Sequence, residues 1–233
     1  MYEVDIVIPA YNHLNLTQQV IKNIEETQKD VNYQLIIIND GSSDWTKERL
    51  DNNKKDNWMV VHQANQWTNW AWNRWVELAT ADYIAIFNND IIIPEWTLKK
   101  MMEWFTDKVW MVQTRSTTLK TTARWDKPFY FSNHIQGRCY MINQEAKKWL
   151  YPIDKRLRIF WWDNWLFFKM IYMWYKLKIL HDVVIHHMES QTVHPTINLD
   201  WPVFMSIAKE EWWYVLPLEV KKNNFTEDLV FGY

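Results

Sequence analysis

The chain has 233 residues, enough for one large domain or a domain with a short appendage, and that length buries a sizeable core without disulfides. Its 26 basic and 28 acidic residues leave a formal charge of −2, which excludes a broad basic field, so no nucleic-acid partner is expected. The lone cysteine, Cys139, excludes an internal disulfide and fits a reducing compartment. No run of roughly 18 apolar residues exists, and Met1 to Asp5 lacks a basic stretch followed by an apolar one, so no transmembrane segment or signal peptide is expected.

Val-Asp-Ile-Val-Ile-Pro (4–9) is a short apolar run ending in a turn signal and reads as a buried parallel strand. Residues 14–29 carry Leu16, Val20 and Ile24 at helical spacing. Residues 33–38 form a second β-rich run, 46–53 a helix, 58–62 a strand, 69–80 a helix and 83–87 a fourth strand. This alternation predicts an α/β domain with a parallel sheet and crossover helices. A helix over 94–105, strands over 109–114 and 136–142, helices over 144–150 and 162–175, and a last apolar run over 178–186 follow. Residues 115–135 are polar and irregular, and 195–233 read as one packed helix with a loose tail.

In open α/β sheets, ligands sit outside the carboxyl ends of the strands. Ala10-Tyr11-Asn12 follows the first strand, Asp40 to Asp44 the second and Asn88-Asn89-Asp90 the fourth, so all three clusters converge on one edge. Turns are polar for their own reasons, and one such cluster alone would say little; three at strand ends point to a site. Asp90 is a carboxylate placed to hold a hard cation that also binds phosphate oxygens, and His186 or His187 offers a nitrogen to the same ion. Each histidine alone reads more readily as a partly buried, hydrogen-bonded side chain. Magnesium and manganese both accept such a mixed donor set. Asp163 stands among Trp162, Asn164 and Trp165 at the start of an apolar helix. Aromatic surroundings disfavour a charged carboxylate and make it a better base; a helix N-cap is the equal alternative. There is no Gly-rich phosphate loop, Cys pair or Ser elbow, and Cys139 reads as core.

Taken together, residues 4–12, Ile-Ile-Asn-Asp-Gly-Ser-Ser-Asp (37–44), Phe-Asn-Asn-Asp (87–90), Trp-Asp-Asn-Trp-Leu (162–166) and Ile-His-His (185–187) resemble glycosyltransferase family 2, over roughly residues 4–192. The resemblance implies a GT-A, Rossmann-like α/β fold with a mostly parallel central sheet flanked by helices. It implies an inverting transfer of sugar from a nucleotide-diphosphate sugar to a hydroxyl of a glycan, lipid-linked or protein acceptor. It divides the chain into a catalytic domain over 1–194, with a nucleotide-sugar half to about 115, and an appendage over 195–233. Pro9, Ala10, Tyr11, Asn12, Asp40, Asn65, Asn88 and Asn89 are the implied nucleotide-sugar-binding residues. Asp40 matches the aspartate that hydrogen-bonds the base. Asp90 matches the last residue of the Asp-x-Asp metal motif, with Asn88 in place of its first aspartate. His186 matches the late metal-binding histidine, and His187 is the fallback. The implied cofactor is a divalent metal, Mn or Mg. Asp163 matches the general base, while Trp162 replaces the usual glutamate before it. Cytoplasmic location, or a peripheral place at a membrane, is the expectation. A nucleotidyltransferase of the same fold would need a Gly-rich basic loop after the first strand. A non-catalytic carbohydrate- or nucleotide-sugar-binding protein is the alternative, against which the joint presence of Asp40, Asp90, Asp163 and His186 argues.

The chain holds 18 tryptophans and 3 glycines. Trp45, Trp67, Trp70, Trp75, Trp96, Trp110 and Trp174 stand at glycine-like positions of the resemblance, whereas Trp72, Trp104, Trp125 and Trp165 read as ordinary. UGA is read as glycine in some genetic codes and as tryptophan in others, and exchanging the two readings would produce this pattern. A Trp-rich, sugar-stacking surface is the other reading. A chain with tryptophan at tight turns is expected to be strained and poorly stable.

Overall fold

The structure is a computed structural model that describes residues 1–65, 68–106, 108–118, 137–157, 162–173, 175–188 and 200–211. In chain order its elements are β1 (Val4–Ala10), α1 (Leu14–Thr27), β2 (Tyr33–Asp40), α2 (Thr46–Asn52), β3 (Trp58–Gln63), α3 (Thr68–Leu78) and β4 (Tyr83–Phe87). There follow β5 (Ile91–Ile92), α4 (Thr97–Met102), β6 (Val109–Thr118), β7 (Cys139–Asn143), α5 (Gln144–Leu150), α6 (Trp162–Tyr172), β8 (Lys176–His187) and α7 (Asp200–Glu211). Trp67, Trp125, Trp174 and the tail after 211 lie outside the described residues.

The strands form one sheet in the order β3-β2-β1-β4-β7-β6-β8-β5. β1 pairs in parallel with β2 and β4, β2 with β3, and β6 with β8. β4–β7, β6–β7 and β5–β8 are antiparallel. The sheet is therefore mostly parallel, as expected, but mixed beyond β4. The run over 4–9 marks a strand buried between parallel neighbours, but the runs over 109–114 and 136–142 carry no such mark of direction, so the sequence could not show β7 entering between β4 and β6. β5 has two residues, too few for any period to register. β6 runs four residues past its expected end because His186 and His187 of β8 pair with Thr117 and Thr118.

Apolar residues on both faces of β1, β2 and β4 demand cover on both sides. One core joins Val7, Ile36, Ile38, Ile84 and Ile86 to Trp72 and Val76 of α3, Leu166 of α6 and Phe204 of α7. The other joins Ile6, Ile8, Leu35, Ile37, Ala85 and Phe87 to Val20 and Ile24 of α1 and Leu98 of α4. The period-two alternation sends successive residues to opposite cores. Cys139 is buried in the second, and burial pushes its thiol up to about 12, as befits a core residue. Among the described residues no helix is long and apolar enough to cross a membrane.

Candidate functional site at the carboxyl edge of the sheet

The parallel register places Ala10 beside Asn39, and Asp40 beside Gln63, so the turns after β1, β2 and β3 open on one edge. Chain reversal there is tight. Asn12 and His13 both take positive φ, as does Gly41 at 77°. A Cβ at Gly41 would stand 2.6 Å from the backbone nitrogen of Asn65, so only glycine allows the two turns to meet. Hydrogen bonds knit them further. The Asn12 amide donates to Ser42 Oγ at 2.8 Å, and the Ser43 amide donates to Asn12 Oδ1 at 2.8 Å. Asp44 accepts from the Leu14 amide through one oxygen and from the Thr46 amide and hydroxyl through the other. Asp40 is buried, and its Oδ1 accepts from Gln63 Nε2 at 2.7 Å. Pro9 is half-buried, Ala10 is buried, and Tyr11 and Asn65 are exposed at the rim. Gln63 is a partner the sequence did not announce; a lone glutamine carries no motif, and only its register opposite Asp40 singles it out.

The next turn leaves β4. The Asn88 amide donates to the Arg138 carbonyl at 2.9 Å, and Asn89 Nδ2 donates to Thr17 Oγ1 at 3.1 Å, so both asparagines are half-buried and fixed. Asp90 is buried, and its Oδ2 lies 3.2 Å from His187 Nε2. The Met188 amide donates to the Asp90 carbonyl, and Ile91 pairs with His187. Adjacent residues of a strand face opposite ways, so His187 is buried while His186 is exposed. Of the two candidate histidines, the structure brings His187 to Asp90 and leaves His186 turned outward. Asp90 Oδ1 and His187 Nδ1 are buried with no hydrogen-bond partner among the described residues. Two ligands on adjacent corners of an octahedron, each about 2.1 Å from a small hard cation, stand about 3.0 Å apart. The oxygen–nitrogen spacing of the pair fits that arrangement. No group of three His, Cys, Asp or Glu side chains is gathered among the described residues, so the remaining positions on an ion would fall to water and phosphate oxygens.

Asp163 is the second residue of α6 rather than the residue ahead of it, and is half-buried. Its place is set by Trp162, whose ring covers Gly137: a Cβ there would stand 2.3 Å from the indole. Gly137 adjoins Arg138, whose carbonyl holds Asn88, so the start of α6 comes to the same edge as the Asn88–Asp90 turn. Beneath it the Tyr140 and Tyr151 hydroxyls share a hydrogen bond of 2.7 Å. Burial first, then Tyr151, and lastly the charge of Asp163 push the Tyr140 phenol well above its ordinary range, so it stays protonated beside that carboxylate.

Comparisons with known proteins bear on the family and the fold. The family described as glycosyl transferase family 2 matches residues 5–183. A protein of Rickettsia bellii (strain RML369-C), described as an uncharacterized glycosyltransferase, is 33% identical over 89 residues, which cover 38% of this chain and 13% of that relative. Two solved structures share the fold at low identity. Mannosyltransferase PcManGT from Pyrobaculum calidifontis, in complex with GDP-Man and Mn2+, gives a TM-score of 0.67 at 17% identity, over 82% of this chain and 58% of that one. GalNAc-T7 with UDP, GalNAc and Mn2+ gives 0.75 at 12% identity, over 90% and 48%. With three-quarters of its length inside the family match and a GT-A sheet bearing its polar turns on one edge, the chain, which spans less than two thirds of the length of these relatives, belongs to glycosyl transferase family 2.

Proposed function

We propose that the chain transfers a sugar from a nucleotide-diphosphate sugar to an acceptor hydroxyl with inversion, using a divalent metal held by Asp90 and His187 and Asp163 as general base. The observation that carries this reading is the buried Asp90–His187 pair, with Oδ2 and Nε2 3.2 Å apart and with Asp90 Oδ1 and His187 Nδ1 lacking a hydrogen-bond partner among the described residues. It lies on the same sheet edge as the Asp40 turn and the start of α6. GDP-Man with Mn2+ and UDP with Mn2+ in the two structural neighbours are the precedent for the ligand class.

In this scheme the turns after β1 and β2 hold the nucleoside, with Asp40 hydrogen-bonding the base and Tyr11 flanking it. Asn88 and Asn89 border the diphosphate. Asp90 and His187 would hold a Mn or Mg ion, which would supply the positive charge that neutralises the diphosphate as leaving group. Asp163 takes the proton of the acceptor hydroxyl onto a carboxylate oxygen as that hydroxyl oxygen attacks the anomeric carbon from the face opposite the departing diphosphate. The carbon–oxygen bond to the acceptor forms as the bond to the diphosphate breaks. Both substrates must be held in line for this, which is the work of the shared edge.

The test separates chemistry from binding. Donor affinity and turnover are measured on a panel of UDP-, GDP- and dTDP-sugars with manganese or magnesium, for the full chain and for Asp163→Asn. The variant is expected to bind its donor as tightly as before and to lose about 10²–10⁴ in kcat, the usual contribution of a general base. Undiminished turnover removes Asp163 from the role. Failure of every donor to bind moves the chain to a non-catalytic carbohydrate-binding role.

A further inference from the structure

We propose that positions 96 and 110 are glycine positions, and that the codon specifying them is read as glycine in the cell that makes the protein. The backbone carries the first half of this. Among the described residues, positive φ occurs at Asn12, His13, Gly41 and Trp96. Glycine has no Cβ to oppose that conformation, and asparagine and histidine are enriched in it; for a bulky side chain it is an outlier. Trp96 nevertheless takes φ 59 and ψ 16 at the start of α4, with 57% of its surface exposed, so no burial offsets the strain.

Trp110 supplies a different observation. The β6–β8 register steps from Val109↔Lys176 to Met111↔Leu177, which leaves Trp110 as the extra residue of a bulge. Bulges are a recurrent place for glycine. The side chain there is compressed: its ring lies 3.3 Å, centroid to centroid, from Tyr175, against roughly 4.5–7 Å for ordinary aromatic pairs. At position 110 the largest side chain thus sits on a bulge and is crowded against Tyr175.

Other tryptophans behave differently, so the effect is not a property of tryptophan in this fold. Trp72 lies on the regular helix α3 and meets Trp75 and Trp162 at 5.2 and 5.3 Å, inside the ordinary range. Trp45 has φ −74 and ψ 13, which any residue adopts. Composition agrees independently: 3 glycines in 233 residues is far below the average usage of about 7%.

The test is thermal unfolding of the full chain beside Trp96→Gly, Trp96→Ala, Trp110→Gly and Trp72→Gly. Removing a buried tryptophan ordinarily destabilises strongly, and Trp72→Gly is expected to do so. Trp110→Gly is expected instead to raise the melting temperature. Trp96→Gly is expected to raise it by about 2–4 °C, and Trp96→Ala by less, because alanine keeps the Cβ that opposes positive φ. Where the chain as written gives no cooperative transition, the double variant with glycine at both positions is expected to give one. A loss of stability in Trp110→Gly, equal effects of glycine and alanine at 96, or a non-cooperative double variant overturns the proposal. In the gene, UGA is expected at 96 and 110 and UGG at 72; UGG at 96 or 110 overturns it as well.

Discussion

At the scale of single residues, the informative choice is between two neighbouring histidines. His186 and His187 are chemically identical, and motif matching alone favours the first. Strand parity decides their surroundings: Ile91 pairs with His187, which carries that side chain inward beside Asp90 and turns His186 to solvent. The sequence narrowed the proposed nitrogen donor to two adjacent positions but could not supply the parity, because that parity is fixed by the two-residue strand β5, itself invisible to any periodicity. Asp90 stood out in the sequence as a candidate, since a carboxylate that ends an apolar strand has few roles, and the structure sets it beside His187. Gln63 did not stand out, since its only signal is its register. His187→Ala is expected to weaken manganese binding, in the presence of a nucleoside diphosphate, by at least about tenfold. His186→Ala is expected to leave it unchanged. Titration calorimetry with manganese and UDP or GDP reads both, and a reversed order would assign the ligand to His186.

Elements add what isolated residues lack, a fixed distance between turns. The turns after β1 and β2 each bear part of the proposed donor site, and Asp44 ties them by accepting from Leu14 on one side and Thr46 on the other. Although burial alone raises its pKa, the hydrogen bonds from Thr46, then Leu14, hold the Asp44 carboxyl below its ordinary 3.8. A depressed folded-state value means that the carboxylate contributes stability above the unfolded value and loses it as pH falls through the folded one. This component of stability is thus complete at neutral pH and fades below about pH 4. Asn at this position has one acceptor oxygen and cannot hold both turns. Asp44→Asn is expected to show a lower melting temperature at neutral pH and a smaller further drop on acidification than the parent chain. Parallel pH profiles for the two proteins would show that Asp44 does not tie the turns. The three polar clusters at strand ends were readable because parallel strands put all their carboxyl ends on one side. The antiparallel insertion of β7, which brings Gly137 and thence α6 to the same edge, was not readable, since pairing direction is set by contacts distant in sequence.

For the whole molecule, the question is whether the C-terminal helix is an appendage or part of the catalytic body. Phe204 and Ile207 of α7 are fully buried in the same core as Trp162, Trp165 and Leu166 of α6 and Ile84 and Ile86 of β4. Arg156 reinforces the seam by binding Asp154 at 2.8 Å and Glu210 at 2.9 Å, though such exposed pairs contribute little. One side of the sheet is therefore closed jointly by α3, α5, α6 and α7, and α7 braces the helix that bears Asp163. Phe204→Ala removes a large side chain from a filled interior and is expected to cost about 3–5 kcal/mol. At about 2–4 °C per kcal/mol for a chain of this size, the melting temperature should fall by roughly 6–20 °C in a single transition. Because the cavity opens beneath α6 and not beneath the Asp40 turn, turnover should decline at temperatures where donor binding is still intact. Two separate transitions in the calorimetric trace, with the larger one unmoved, would make α7 an independent appendage and leave α6 held by the sheet alone.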